Sequence, residues 1–143
     1  MEMKITIDGF FYLTISLFLL LLGPFWVGAA IFSAAIHELG HMIVLWICGQ
    51  KIHGIHIMPF GARIDTSHLV GRTGICCALA GPMAGALLVL FIRWMPKIGI
   101  CALIQTLFNL LPIYPLDGGR ALDYWRQEKA VANYRNKRYN RPD

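Results

Sequence analysis

Apolar positions run almost without interruption from Gly9 to Cys48, and Glu38 is the one charged residue among them. As a single helix this stretch would extend roughly 60 Å, about twice the thickness of a bilayer's hydrocarbon core, so the chain has to reverse inside it. Gly23-Pro24 is the natural place, because proline ends a helix and glycine permits the turn. The pattern predicts a short first span at 10–22 and a second at 25–48. From 49 to 72 it breaks, with Lys51, His53, His56, Arg63, Asp65, His68 and Arg72 among short apolar pairs, as in a water-side or interfacial loop. Within that loop Ile55-His56-Ile57-Met58 and Ala62-Arg63-Ile64-Asp65 alternate on either side of Pro59-Phe60-Gly61, which predicts a small β-hairpin. His53 and His56 would face opposite sides of such a strand and are taken as interfacial histidines.

A third apolar span at 73–92 carries Gly81-x-x-x-Gly85, a spacing that lets another helix approach closely. A turn at Arg93, Pro96 and Lys97 leads to a fourth, 98–111, which gives way to Pro112, Pro115, Asp117, Gly118 and Gly119. Irregular backbone at membrane depth is tolerated only where protein covers it or water lines it, so Asp117 is expected to face inward. The expected fold is an all-α polytopic membrane protein of about four transmembrane helices, with a small β-hairpin between the second and third. Residues 1–122 form the membrane-embedded core and 123–143 a basic tail, helical at first and frayed at its end.

Composition supports a chain that lives in the lipid bilayer: 57% of the 143 residues are hydrophobic and 15% charged, which excludes an ordinary soluble globule. The net charge of +5 is a topological signal and not one for nucleic acid. With four spans, the amino terminus, the 49–72 loop and the tail share one side, which then holds every lysine and arginine except Arg93 and Lys97. The positive-inside rule makes that side, and both termini, cytoplasmic in a multi-pass cell-membrane protein. Residues 10–22 have the length of a signal-peptide core, but Glu2 and Asp8 offset Lys4 and no A-x-A site follows directly, so a retained span is expected. Cys48, Cys76, Cys77 and Cys101 show no C-x-x-C spacing and are expected to be small buried hydrophobes.

The chemistry is concentrated in His37-Glu38-Leu39-Gly40-His41 of the second span. On a helix the two histidines share one face and can reach a single tetrahedral metal, while Glu38, one position round, can touch a water without ligating. A carboxylic acid and two histidines are costly in a membrane-length helix unless they are used. A catalytic zinc usually takes three protein ligands and keeps an open position, and Asp117, at similar depth, is the expected third ligand beside His37 and His41. These residues point to Zn2+-dependent hydrolysis inside the bilayer, with Glu38 as the acid/base; the bland alternative is a buried polar cluster that holds the spans together.

His37-Glu38-Leu39-Gly40-His41, Met58-Pro59-Phe60-Gly61, Ala80-Gly81-Pro82 and above all the run from Asn109 to Arg120 resemble the site-2 proteases of the peptidase M50 family, membrane-embedded zinc metalloproteases. Within them the motifs resemble the sporulation-type branch of stage IV sporulation protein FB. The resemblance implies His37, His41 and Asp117 as zinc ligands, Glu38 as catalytic acid/base, and Asn109 as a residue that holds substrate backbone or the developing oxyanion. It implies regulated intramembrane proteolysis of a membrane-associated protein substrate that pairs with the hairpin edge. Many relatives have Asn where this chain has Gly85, and the further spans, CBS domain or PDZ domain of relatives do not appear, so a regulatory membrane partner is expected. The competing reading is a non-catalytic membrane adaptor that keeps the metal core and binds client helices.

Overall fold

The long apolar run folds into two helices with the reversal where the sequence puts it. The Asp8 carboxylate accepts the Phe10 backbone N–H at 3.1 Å and so opens α1 (Gly9–Leu22). The helix ends at Gly23, whose φ of 79° suits a residue without a side chain. Pro24 then occupies the first turn of α2 (Pro24–Ile47), where its missing N–H is no loss. The computed structural model describes residues 4–58, 61–66 and 69–139.

Along α2 the buried residues Ala29, Ser33, His37, His41 and Leu45 recur every fourth position, a single stripe that faces the other helices. Opposite it lie α3 (Gly71–Val89) and α4 (Pro96–Asn109), and α5 (Asp117–Tyr139) packs on α3. The α2–α3 crossing is close at Gly40, where a Cβ would come within 2.6 Å of the Ala80 carbonyl oxygen. Most of the apolar length of α2 and of α3 is exposed, with 28% and 39% buried, as in helices that turn one side to lipid. Phe25 and Trp46, at 78% and 80% exposure, are among the large apolar side chains turned outward, as expected of a lipid-facing surface.

The loop forms the predicted hairpin, β2 (Ile52–Met58) antiparallel to β3 (Gly61–Thr66), with Ile55 opposite Ile64. Pro59, Phe60 and His68 lie outside the described residues. A strand that the pattern did not announce, β1 (Lys4–Ile7), adds parallel to β2 and makes a three-stranded sheet in the order β1-β2-β3. Parallel neighbours need a long crossover, and here α1 and α2 supply it by running out and back. The amino terminus and the loop therefore meet at one end of the molecule.

Two of the four expected spans, α2 and α3, are long and apolar enough to cross a membrane. Helices α1 and α4 have 14 residues each, which at the helical rise is about 21 Å, short of a hydrocarbon core of about 30 Å. The tail departs from expectation as well: α5 runs unbroken from Asp117 to Tyr139. The four cysteines are free, but only Cys77 is buried; Cys48 and Cys76 are exposed. His56 has protein partners, the Asp65 carboxylate at 2.8 Å and the Thr6 hydroxyl, and so ties the three strands together.

Candidate metal centre

His37 and His41 stand on consecutive turns of the buried α2 stripe, 2% and 8% exposed. Asp117, 6% exposed, reaches them from the first turn of α5, where a carboxylate also complements the helix dipole. Gly118 and Gly119 make this possible. A Cβ at 118 would lie 2.6 Å from the Leu111 carbonyl oxygen and one at 119 would lie 2.6 Å from the Ile113 carbonyl oxygen, so only glycines let α5 start tightly against the 110–114 turn. Ligand atoms of the three side chains lie within 4.8 Å of one another, a group that could hold a metal ion.

Asp117 Oδ2 stands 3.0 Å from His37 Nε2 and 3.2 Å from His41 Nε2, and the two imidazole nitrogens are 3.3 Å apart. Tetrahedral ligands at bond lengths of about 2.0–2.1 Å are separated by roughly 3.3–3.4 Å, close to this spacing. The orientation of the His41 ring suits the same purpose. His41 Nδ1 is 2.7 Å from the Cys77 carbonyl, which can only accept, so His41 donates its Nδ1–H there and turns the Nε2 lone pair inward in the neutral ring. His41 Nε2 faces the Asp117 carboxylate at 3.2 Å in a buried site, an arrangement that a cation between them, a metal ion or the ring's own second proton, satisfies. Gly81 of α3 leaves the room: a Cβ there would stand 2.6 Å from His37 Nε2 and 2.7 Å from His41 Cε1. The donor set and the cradle both fit a metal ion.

Glu38 is half-buried on the same turn as His37, outside the ligand group, and it has an interaction partner of its own. Asn109, half-buried, is the last residue of α4, three positions after the buried Thr106. Sequence reasoning missed a polar layer one turn along α2 from His37. There Ser33, 0% exposed, donates its hydroxyl to Gln105 Oε1 of α4 at 2.9 Å. Its signal was the fourfold period itself, since Ser33 lies four positions before His37. The Gly81-x-x-x-Gly85 pair also proves to serve two neighbours, Gly81 facing the histidines of α2 and Gly85 facing Thr106 of α4.

Two histidines of an H-E-x-x-H helix and an aspartate from α5, buried together in a mostly helical protein with outward-facing apolar surfaces, make a site of the kind metallopeptidases use. The chain belongs to the peptidase M50B-like family, whose profile matches residues 10–116. It is 32% identical to a zinc metalloprotease of Methanocaldococcus jannaschii over 157 aligned positions, covering 92% of this chain and 46% of the relative. The chain thus spans less than half the length of that curated relative. In fold it is similar to a site-2 protease from Methanocaldococcus jannaschii, with a TM-score of 0.67 and 23% identity over 85% of this chain and 67% of the other.

Proposed function

We propose that this chain is the catalytic core of an intramembrane zinc metalloendopeptidase that cuts a membrane-associated or single-span protein. The observation that carries the reading is the convergence of His37 Nε2, His41 Nε2 and Asp117 Oδ2 at spacings of 3.0–3.3 Å. His37, His41 and Asp117 would hold Zn2+, which when bound acidifies a water and polarises a carbonyl. Glu38 takes the proton of the attacking water and returns it to the leaving amine. The Asn109 side-chain amide donates to substrate backbone or to the oxyanion as it forms. Helical peptide bonds are shielded by their own hydrogen bonds, so a substrate has to unwind before it is cut. An unwound segment can add to an outer strand such as β3, where main-chain hydrogen bonds replace the ones it lost.

Four crossings with both termini cytoplasmic belong to this reading, with 1–122 as the embedded core and 123–143 as the basic arm. The β1–β2 pairing and the Arg72–Glu128 ion pair at 3.1 Å support it, because they gather the amino terminus, the loop and α5 at one end. The sporulation-type branch and regulated intramembrane proteolysis rest on the run from Asn109 to Arg120.

The test is reconstitution with zinc and a panel of single-span reporter proteins, comparing wild type with Glu38→Gln. The expected result is cleavage by wild type and a loss of about 10²-fold or more in Glu38→Gln, with zinc content unchanged. Equal cleavage by both contradicts the mechanism. Failure of both to cleave while both hold zinc and reporter supports the adaptor instead.

A further inference from the structure

The two histidines are supported differently. His41 Nδ1 donates to the Cys77 carbonyl at 2.7 Å, whereas His37 Nδ1 is buried and has no partner among the described residues. A histidine that binds a metal through Nε2 carries its proton on Nδ1, and that N–H needs an acceptor to fix ring and tautomer. One other buried side-chain atom among the described residues lacks a partner, Thr106 Oγ1, on a residue 7% exposed.

Both orphaned atoms belong to side chains that meet α3 at small residues, His37 at Gly81 and Thr106 at Gly85. On α3, the space that a side chain at 81 would fill is bordered by the histidine nitrogens, and the space at 85, one turn further, is taken by Thr106 Oγ1. Neighbouring Cβ positions one helical turn apart are about 5–6 Å from each other, so Thr106 lies one turn beneath His37. Ser33 stands at that level on α2, and its hydroxyl proton is committed to Gln105 Oε1 at 2.9 Å, which leaves its lone pairs free.

We propose that Thr106 is the outer partner of His37: its hydroxyl, with Ser33 Oγ beside it, holds one buried water that accepts the His37 Nδ1–H. The inference rests on the metal-site reading above and deepens it. A buried water is stable with two to four polar partners, and His37 Nδ1, Thr106 Oγ1 and Ser33 Oγ supply three. Thr106 touches neither substrate nor ion and is a positioning residue. The arrangement belongs to this chain's own pairing of positions 85 and 106, because any side chain at 85 would displace the Thr106 hydroxyl.

The experiment uses the full chain in detergent, metal-free and then titrated with Zn2+ against a competing chelator and with Co2+ as a spectroscopic probe. Thr106→Val keeps the shape without the hydroxyl, Thr106→Ser keeps the hydroxyl, and thermal unfolding of the metal-free forms reports the fold. The expected result is a zinc affinity about 10–100-fold weaker and an altered Co2+ absorption band in Thr106→Val, with Thr106→Ser close to wild type and unfolding temperatures alike. Thr106→Val with wild-type affinity and spectrum overturns the inference while leaving the metal site standing, as does an equal loss in both variants. Wild type that takes up neither ion overturns the metal-site reading and this inference with it.

Discussion

A Cβ at position 81 would enter the space that His37 and His41 use to face Asp117, so the residue opposite the ligands is constrained as tightly as the ligands. Gly81→Ala is accordingly expected to cost at least tenfold in zinc affinity, measured by chelator competition on the purified protein, and retention of wild-type affinity would show that the cradle is loose. At this scale the sequence was legible where spacing carries chemistry. His37 and His41 share a face by helical period alone, and Asp117 announced itself as an acid among prolines and glycines at the end of an apolar run. Ser33 was legible only through its fourfold spacing from His37, and Gln105 and Thr106 not at all, because an isolated hydroxyl or amide in an apolar helix looks the same whether it faces lipid or a partner. Which it faces depends on the rotation of α2 and α4, and that is set by packing.

Among elements, the pairing of α2 with α3 holds the site together, since α3 supplies both the Cys77 carbonyl that orients His41 and the gap at Gly81. The crossing depends on Gly40 meeting Ala80 and Ala84. Gly40→Val would force the helices apart and is expected to destabilise the protein by about 1–3 kcal/mol, the usual cost of overpacking. The measurement is a lowered unfolding temperature in detergent, and an unchanged one would mean that the helices are not in contact there. The helices and the hairpin were predictable from local pattern, with bounds close to those found. Strand β1 was not, although Lys4-Ile5-Thr6-Ile7 alternates, because four residues are a weak signal and their partner β2 lies about 50 positions on. The unbroken length of α5 was hidden by its polarity, which mimics a solvated tail.

For the whole molecule, the sheet and the part of α5 around Glu128 mark one end, and Lys97, stacked over the Phe25 ring at 5.1 Å, marks the other. Single cysteines introduced at Lys51, Glu128 or Lys97, in a chain whose four native cysteines are replaced, are expected to divide in vesicles. An impermeant maleimide should reach Lys51→Cys and Glu128→Cys from one side and Lys97→Cys from the opposite side. Labelling of all three from one side would refute a membrane-crossing arrangement. The central claim, that two histidines of one helix and an aspartate far along the chain share one ion, is tested most directly by X-ray absorption at the zinc edge of the purified protein. The account predicts nitrogen and oxygen neighbours at about 2.0–2.1 Å with the outer-shell pattern of imidazole, lost in His37→Ala and Asp117→Ala. A sulfur neighbour at about 2.3 Å, or a zinc signal that survives both substitutions unchanged, would contradict it.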